Sequence, residues 1–285
     1  MFVTLLVIFI VTLAGNLLII LIIRMDNRLH SPMYFFLANL SFAEMSGIIT
    51  VVPKLLTTFV VENSTISKTE CMMQCFFYFF IFSSVFLILA VMSCDRYLAI
   101  CHPFRYTPIM RHSVCIHLVC ACFIISLALI LYPAIMLSKL PYCGRVVDHF
   151  FCDSAALLKL ICINTILLKL YGIIASVFIL IIPAIITVIS YVFIVYTVIM
   201  IPTSKGRQKT FSTCVSHLAM VTLVFGSAIF IQVRPPRHYN LEKDKMIVLV
   251  STMLAPLLNP FIYTLRNQKV KDCIKDVIKK TKQKI

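Results

Sequence analysis

The chain has 285 residues, of which 61% are hydrophobic and 13% charged, with a formal net charge of +15 at pH 7. This apolar share exceeds that of soluble domains, and it is gathered in runs long enough to cross a bilayer. The composition therefore excludes an ordinary soluble domain. Long unbroken apolar runs also disfavour a β-barrel, whose strands alternate apolar and polar residues.

Seven apolar runs predict an all-α membrane protein, a seven-transmembrane helix bundle. Each run reaches the roughly 20 residues that a membrane helix needs. The runs are 2–23, 33–59, 71–100, 113–137, 170–201, 210–233 and 246–265. Prolines in or near them predict kinks instead of breaks, because neighbouring helices and water satisfy the freed carbonyls. We divide the chain into a bundle domain, 1–265, and a basic tail, 266–285.

Lys and Arg are divided unevenly between the two sets of alternating loops. Most of the 26 lie after the first, third and fifth runs and in the tail. The richer side is expected to be cytoplasmic, which places the N-terminus outside and the C-terminus inside. We interpret the basic excess as attraction to anionic membrane lipid, and not as a nucleic-acid-binding face. Apolar residues at helical spacing after Arg266, including Val270 and Ile274, predict a short amphipathic helix on the inner leaflet.

Four strings mark ends or interiors of the runs. LHSPMYFFLANLS, residues 29–41, opens the second run, and Ser31-Pro32 suits a helix start with Ser as cap. MSCDRYLAICHPFRY, residues 92–106, places Asp95, Arg96 and Tyr97 where the third run ends. GRQKTFSTCVSHL, residues 206–218, opens the sixth run, and PLLNPFIY, residues 256–263, closes the seventh.

Together these strings resemble the odorant (olfactory) receptors of the rhodopsin-like G-protein-coupled receptor family. The resemblance covers nearly the whole chain and implies a plasma-membrane receptor for a small odorant. It also implies coupling to a stimulatory, olfactory-type heterotrimeric G protein that raises cyclic AMP. The switch and coupling residues that it implies are Asp95, Arg96, Tyr97, Tyr191, Lys209, Asn259, Pro260 and Tyr263.

The same resemblance implies a ligand cavity between the outer halves of the third, fifth, sixth and seventh helices. As a set, its lining would be largely apolar with a few hydroxyl or amide partners, which suits a volatile, mostly apolar molecule. The residues carried over are Tyr78, Phe79, Phe82, Ser83, Ala175, Ser176, Ile179, Phe225, Ala228, Ile229, Gln232 and Thr252, beneath Asp153 and Ser154 of the loop.

Four of the twelve cysteines are predicted to face outside, at positions 71, 143, 152 and 162, and can pair in three ways. An oxidising lumen favours disulfides there. The resemblance selects Cys71 with Cys152, and Cys143 with Cys162. A metal site at His149, Cys152 and Asp153 is the competing interpretation, but it lacks a second half with ligand spacing. Asn63-Ser64-Thr65 is a glycosylation sequon in the first outer loop.

Glu44 lies inside the second run, where an unpaired carboxylate is costly. Facing Asn16 and Asn259, it could hold water or sodium and join the activation switch. The alternative is a protonated glutamic acid satisfied by hydrogen bonds.

Residue patterns for catalysis are missing: the chain has no phosphate-binding glycine loop, zinc-helix motif or nucleophile elbow. We therefore expect no enzyme and no cofactor. Two alternatives to a signalling receptor stay open. A secondary transporter would show internal repeats, and a truncated, non-signalling relict is suggested by the absence of tryptophan and of a polar segment before the first run.

Overall fold

The computed structural model describes residues 2–61, 64–233, 241–266 and 270–276. Apart from the helical residues 270–276, ten α-helices occur in this part of the chain. They are α1 Phe2–Met25, α2 Pro32–Thr58, α3 Lys68–Cys101, α4 Pro103–Ile109, α5 His112–Lys139, α6 Ser154–Leu158, α7 Ile166–Ser176, α8 Ile182–Ile199, α9 Ser204–Val233 and α10 Leu241–Arg266. A π-helical segment, Val177–Ile181, joins α7 to α8.

Seven long helices follow the seven predicted runs in order. By length and composition, α1, α2, α3, α5 and the continuous helix Ile166–Ile199 can cross a membrane. Helices α9 and α10 carry the shorter apolar segments His217–Ile231 and Met246–Ile262. The all-α, seven-helix prediction is therefore confirmed.

Several helix ends differ from the predicted ones, because polar residues continue a helix beyond the bilayer. Helix α9 begins at Ser204, before the predicted start at Thr210. Helix α3 begins with a capping box in which Ser67 and Glu70 satisfy each other's backbone N–H groups, a signal visible as Ser-Lys-Thr-Glu. At α2, Ser31 takes the N-cap position before Pro32, but its side chain makes no cap bond.

The internal prolines do not end their helices. Pro53, Pro133, Pro256 and Pro260 lie inside α2, α5 and α10. Pro183 is the second residue after the π segment, and the N–H of the intervening Ile182 donates to Val177 O, five residues back. A proline has no N–H to donate, so one carbonyl of the preceding turn loses its usual hydrogen-bond partner. A wider, π-helical turn beside the proline changes which N–H group pairs with which carbonyl.

Helix α3 lies at the centre and packs against α2, α5, α8 and α9. The main core contains fully buried Phe36, Leu40, Ile88 and Leu89, and it reaches helical residues 270–276 through Val270 and Cys273. Val277 and Ile278 of the predicted amphipathic helix lie outside the described residues.

Arg28 connects the first inter-helix turn to these helical residues. Its Nη2 atom lies 2.7 Å from Asp26 and 2.8 Å from Asp276. The guanidinium beside Asp26 holds the pKa of that carboxyl well below its usual range. The pairs are exposed, so they orient the segments more than they stabilise them.

Candidate functional site

Between the helices lies a cavity of about 700 Å³. Its wall comes mainly from α3, α5, the continuous helix Ile166–Ile199, α9 and α10, with one residue from α2 and with the loop before α7 covering one end. Of the residues predicted to line it, the structure places these on the wall: Tyr78, Phe79, Phe82, Ser83, Ala175, Ser176, Ile179, Ala228, Thr252, Asp153 and Ser154.

Two described side chains from that set lie elsewhere. Phe225 is buried and packs against Phe86, with ring centroids 5.4 Å apart, so it supports the wall from behind. Ile229 packs against the main core. The Gln232 side chain lies outside the described residues. Helix α9 instead turns Val224, Ser227 and Phe230 toward the cavity, and α3 contributes Phe86 itself.

Tyr78 ties α3 to α10 across the cavity. Its hydroxyl lies 3.1 Å from Thr252 Oγ1, and its ring lies 4.7 Å from Phe82 and 4.6 Å from Phe151 of the loop. Ser83 and Ser176 donate to the carbonyls of Phe79 and Gly172 in their own helices, so neither hydroxyl directs its proton into the cavity. In the Tyr78–Thr252 pair, one hydroxyl donates its proton to the other. The second hydroxyl proton is not used within the pair.

Disulfides hold the covering loop. Cys71 bonds to Cys152 and Cys143 to Cys162, with Cα atoms 5.4 Å and 5.7 Å apart. Because the Cys152 sulfur is in a disulfide, the metal interpretation of His149, Cys152 and Asp153 loses one of its ligands. Asp153 accepts hydrogen bonds from Ala155 N and Ala156 N, which caps α6. Asn63 lies outside the described residues.

Gln74 holds this loop to two helices, a role that sequence reasoning missed. Its Nε2 donates to Thr50 O of α2 at 3.0 Å, and its Oε1 accepts from Cys152 N at 2.9 Å. The side chain is buried, so both ends of the amide are satisfied in a site that excludes water.

Replacing Gln74 with Leu is therefore expected to lower the free energy of unfolding by about 1–3 kcal/mol, since Cys152 N–H then stays buried without a partner. The measurement is the thermal midpoint of the purified chain. Met73→Leu, at the neighbouring exposed position, is the control and should melt like the unchanged chain. Equal midpoints for the two variants would contradict this role.

A buried polar cluster lies deeper in the bundle, and the structure brings its three predicted members together on three helices. Asn16 Nδ2 donates to Pro256 O at 3.0 Å, and Asn259 Nδ2 donates to Glu44 Oε2. Glu44 also lines the cavity, so the cavity reaches this cluster. Gly15 permits the close approach of α1, because a Cβ atom there would lie 3.0 Å from Pro260.

The far end of α3 carries the Asp-Arg-Tyr triplet. Arg96 is hydrogen-bonded to Asp95, whose other oxygen accepts from Tyr106 of α4 at 2.8 Å. The Tyr97 hydroxyl lies 2.9 Å from His102 Nε2. Asp95 lies 24 positions after Cys71, which at the helical rise is about 36 Å, so the disulfide and the triplet lie at opposite ends of the bundle.

Tyr191 contacts α9 at the triplet end. Its hydroxyl lies 2.6 Å from Nδ1 of buried His217, and the two rings stack. The side chains of Lys209 and Tyr263 lie outside the described residues. Phe104 of α4 is 98% exposed at this end, a large apolar side chain that sequence reasoning did not single out.

Comparison with known proteins places these features in one family. The family model "Olfactory receptor" matches residues 5–281. Olfactory receptor 6S1 of Homo sapiens is 46% identical over 96% of this chain and 84% of its own length. Olfactory receptor 6X1 of Homo sapiens is 44% identical (96% and 88%), and olfactory receptor 6E1 of Mus musculus is 42% identical (94% and 86%). The chain thus belongs to the olfactory receptor family, the multi-pass plasma-membrane G-protein-coupled receptors for odorants, which are not enzymes.

Proposed function

We propose that the chain binds a small, volatile, mostly apolar molecule in the cavity and activates a stimulatory, olfactory-type G protein that raises cyclic AMP. The observation that carries this proposal is the continuity of α3. One helix contributes Tyr78 to the cavity wall and Arg96 to the opposite end. A change of packing around this helix can therefore connect ligand binding to the distant end.

The chemistry of the cavity supports the ligand class. A volume of about 700 Å³ lies in the range of small-molecule sites. Aromatic and aliphatic side chains form most of the wall, and the Tyr78–Thr252 pair supplies a hydroxyl donor within it. A ligand of mainly apolar surface with one carbonyl, ether or hydroxyl oxygen would match this wall.

Charge supports an orientation with the N-terminus outside and the C-terminus in the cytoplasm. The Asp95 end carries most of the Lys and Arg residues of the loops and tail. The end with both disulfides then faces the oxidising lumen and later the cell exterior. In this orientation, basic residues after Arg266 lie against anionic lipid, which we propose as a further partner.

The Asp95 end has features that suit a protein partner. Arg96 is held by Asp95 in the structure and would be released when the inner halves of the helices separate. Phe104 offers an exposed apolar anchor, of the kind found at the centre of protein interfaces. We assign Tyr97, Tyr191, Lys209, Pro260 and Tyr263 to the same switch.

The polar cluster at Glu44 is proposed as part of this switch. Glu44 Oε1, Asn16 Oδ1 and Asn259 Oδ1 are buried and have no hydrogen-bond partner among the described residues. Three such acceptors suit a water molecule or a sodium ion, or a proton on Glu44 itself. If sodium changes agonist potency in the unchanged chain but not in Glu44→Gln, the result would favour the ion.

Replacing Tyr78 with Phe tests the ligand site, because it removes the hydroxyl and retains the ring. We expect agonists with one oxygen atom to lose about tenfold in potency, the effect of one lost hydrogen bond. Cyclic-AMP dose–response curves on an odorant panel give the measurement, and Tyr196→Phe, at an exposed position of α8, is the matched control. Unchanged potency in Tyr78→Phe would contradict the assignment.

Family membership removes the transporter alternative. The relict alternative makes a different prediction from the receptor, namely a chain that is retained inside the cell and answers no odorant. Surface staining of expressed chain, combined with the odorant panel, distinguishes the two. A rise in cyclic AMP, and not in calcium, on stimulation would support coupling to the stimulatory G protein.

A further inference from the structure

Helix α7 turns one face to the membrane and another to the cavity, and Ile173 belongs to both. Ile166, Leu170, Ile173 and Val177 are exposed at helical spacing, so they form one stripe on the outer surface. Ile173 is 59% exposed and also lines the cavity. The outer surface and the cavity wall therefore meet at this side chain.

Helix α9 also has a residue that belongs both to the outer surface and to the cavity wall. Leu218, Thr222, Gly226 and Phe230 are exposed and four residues apart, so they form the outer stripe of that helix. Phe230 is 56% exposed and lines the cavity as well. Two neighbouring helices of the bundle thus each have a wall residue that belongs to the membrane face.

The two edges of α7 are packed differently. On one edge, Tyr171 donates to Leu129 O of α5 at 3.0 Å, and its ring lies 5.1 Å from Tyr132. These side-chain contacts close the edge of α7 that faces α5. On the other edge, α9 packs against α8 and the π segment, and among the described residues it makes no comparable packing against α7. Helices α7 and α9 therefore lie apart at the end of the bundle that carries the disulfides.

We propose that small apolar ligands reach the cavity from the bilayer, through the gap between α7 and α9 beside Ile173. This inference rests on the proposed function for its ligand class, and it concerns the route instead of the site. Each methylene group favours the hydrocarbon over water by about 0.8 kcal/mol, so an apolar odorant is concentrated in the membrane. The loop with both disulfides covers the competing route from water.

The first test needs no signalling, because the chain contains no tryptophan. Ile173→Trp and Ile174→Trp each give a protein with a single tryptophan; Ile174 is 49% exposed but does not line the cavity. Each variant is reconstituted into phosphatidylcholine vesicles, which add no other protein, and its fluorescence is quenched by lipids brominated on the acyl chain or by acrylamide in water.

We expect the tryptophan at 173 to be quenched by both reagents and the one at 174 by the brominated lipid alone. That result places position 173 at a junction of membrane and cavity. If acrylamide alone quenched position 173, the cavity would be closed to the bilayer there. If the two variants behaved alike, the junction would be absent. Either result would overturn the proposal.

The second test measures the rate of the cyclic-AMP response to hydrophobic agonists from the panel. A bulky residue in the route raises the barrier for entry and exit alike, whereas its effect on the cavity wall alters affinity and shifts onset and washout unequally. Onset and washout should therefore both be about tenfold slower in Ile173→Trp than in Ile174→Trp, as for a barrier about 1.4 kcal/mol higher. Equal rates would count against the route. A chain that answers no odorant would count against the proposed function, while the quenching comparison would still decide the route.

Discussion

Replacing Arg96 with Ala is expected to abolish the cyclic-AMP response to every agonist while leaving ligand affinity nearly unchanged. Arg96 lies at the end of α3 opposite the disulfide and is not among the described residues that line the cavity. Its guanidinium is paired with Asp95, which Tyr106 also holds. We expect the active arrangement to need this cation free to face the G protein, and alanine cannot supply it.

The measurement is the maximal cyclic-AMP response at matched surface level, since removing Arg96 leaves the buried Asp95 without its cation and can lower expression. Arg105→Ala is the matched control, because it removes an exposed arginine at the same end of the bundle. A normal maximal response from Arg96→Ala would refute the assignment of this residue to coupling.

Replacing Cys152 with Ser should remove the chain from the cell surface. The bond to Cys71 closes a sequence separation of 81 residues, whereas the bond between Cys143 and Cys162 closes 19. In the chain-entropy account, the longer loop contributes about 4–5 kcal/mol and the shorter about 3 kcal/mol. Losing the longer one also frees the loop residue that Gln74 holds and the Phe151 ring that covers Tyr78.

Surface staining against a tag on the N-terminus measures the effect, and Cys143→Ser should lower staining less than Cys152→Ser. The double variant Cys71→Ser/Cys152→Ser should equal either single variant, because both singles break the same bond. A larger loss in Cys143→Ser, or additive losses in the double variant, would show that the long loop is not the dominant constraint.

The sequence alone determined the seven long helices, and its resemblance to the family predicted the disulfide partners that the structure contains. In a bilayer each segment must satisfy its backbone groups within itself, so an apolar run of sufficient length is enough to predict a helix. The family strings also predicted Asp95, Arg96 and Asn259 as switch residues, because such residues are recognised by their neighbours along the chain. The Ser67–Glu70 capping box was equally readable, since its parts lie three residues apart.

Only the tertiary structure decided which face of each helix meets the cavity. That choice depends on helix rotation and on neighbours far away in sequence, as the pairing of Tyr78 with Thr252 across 174 residues shows. Phe225 and Ala228 are three residues apart on α9, yet one supports the wall from behind and the other lines it. Likewise, Gln74 acquires its role from Thr50 and Cys152, which no local pattern brings together.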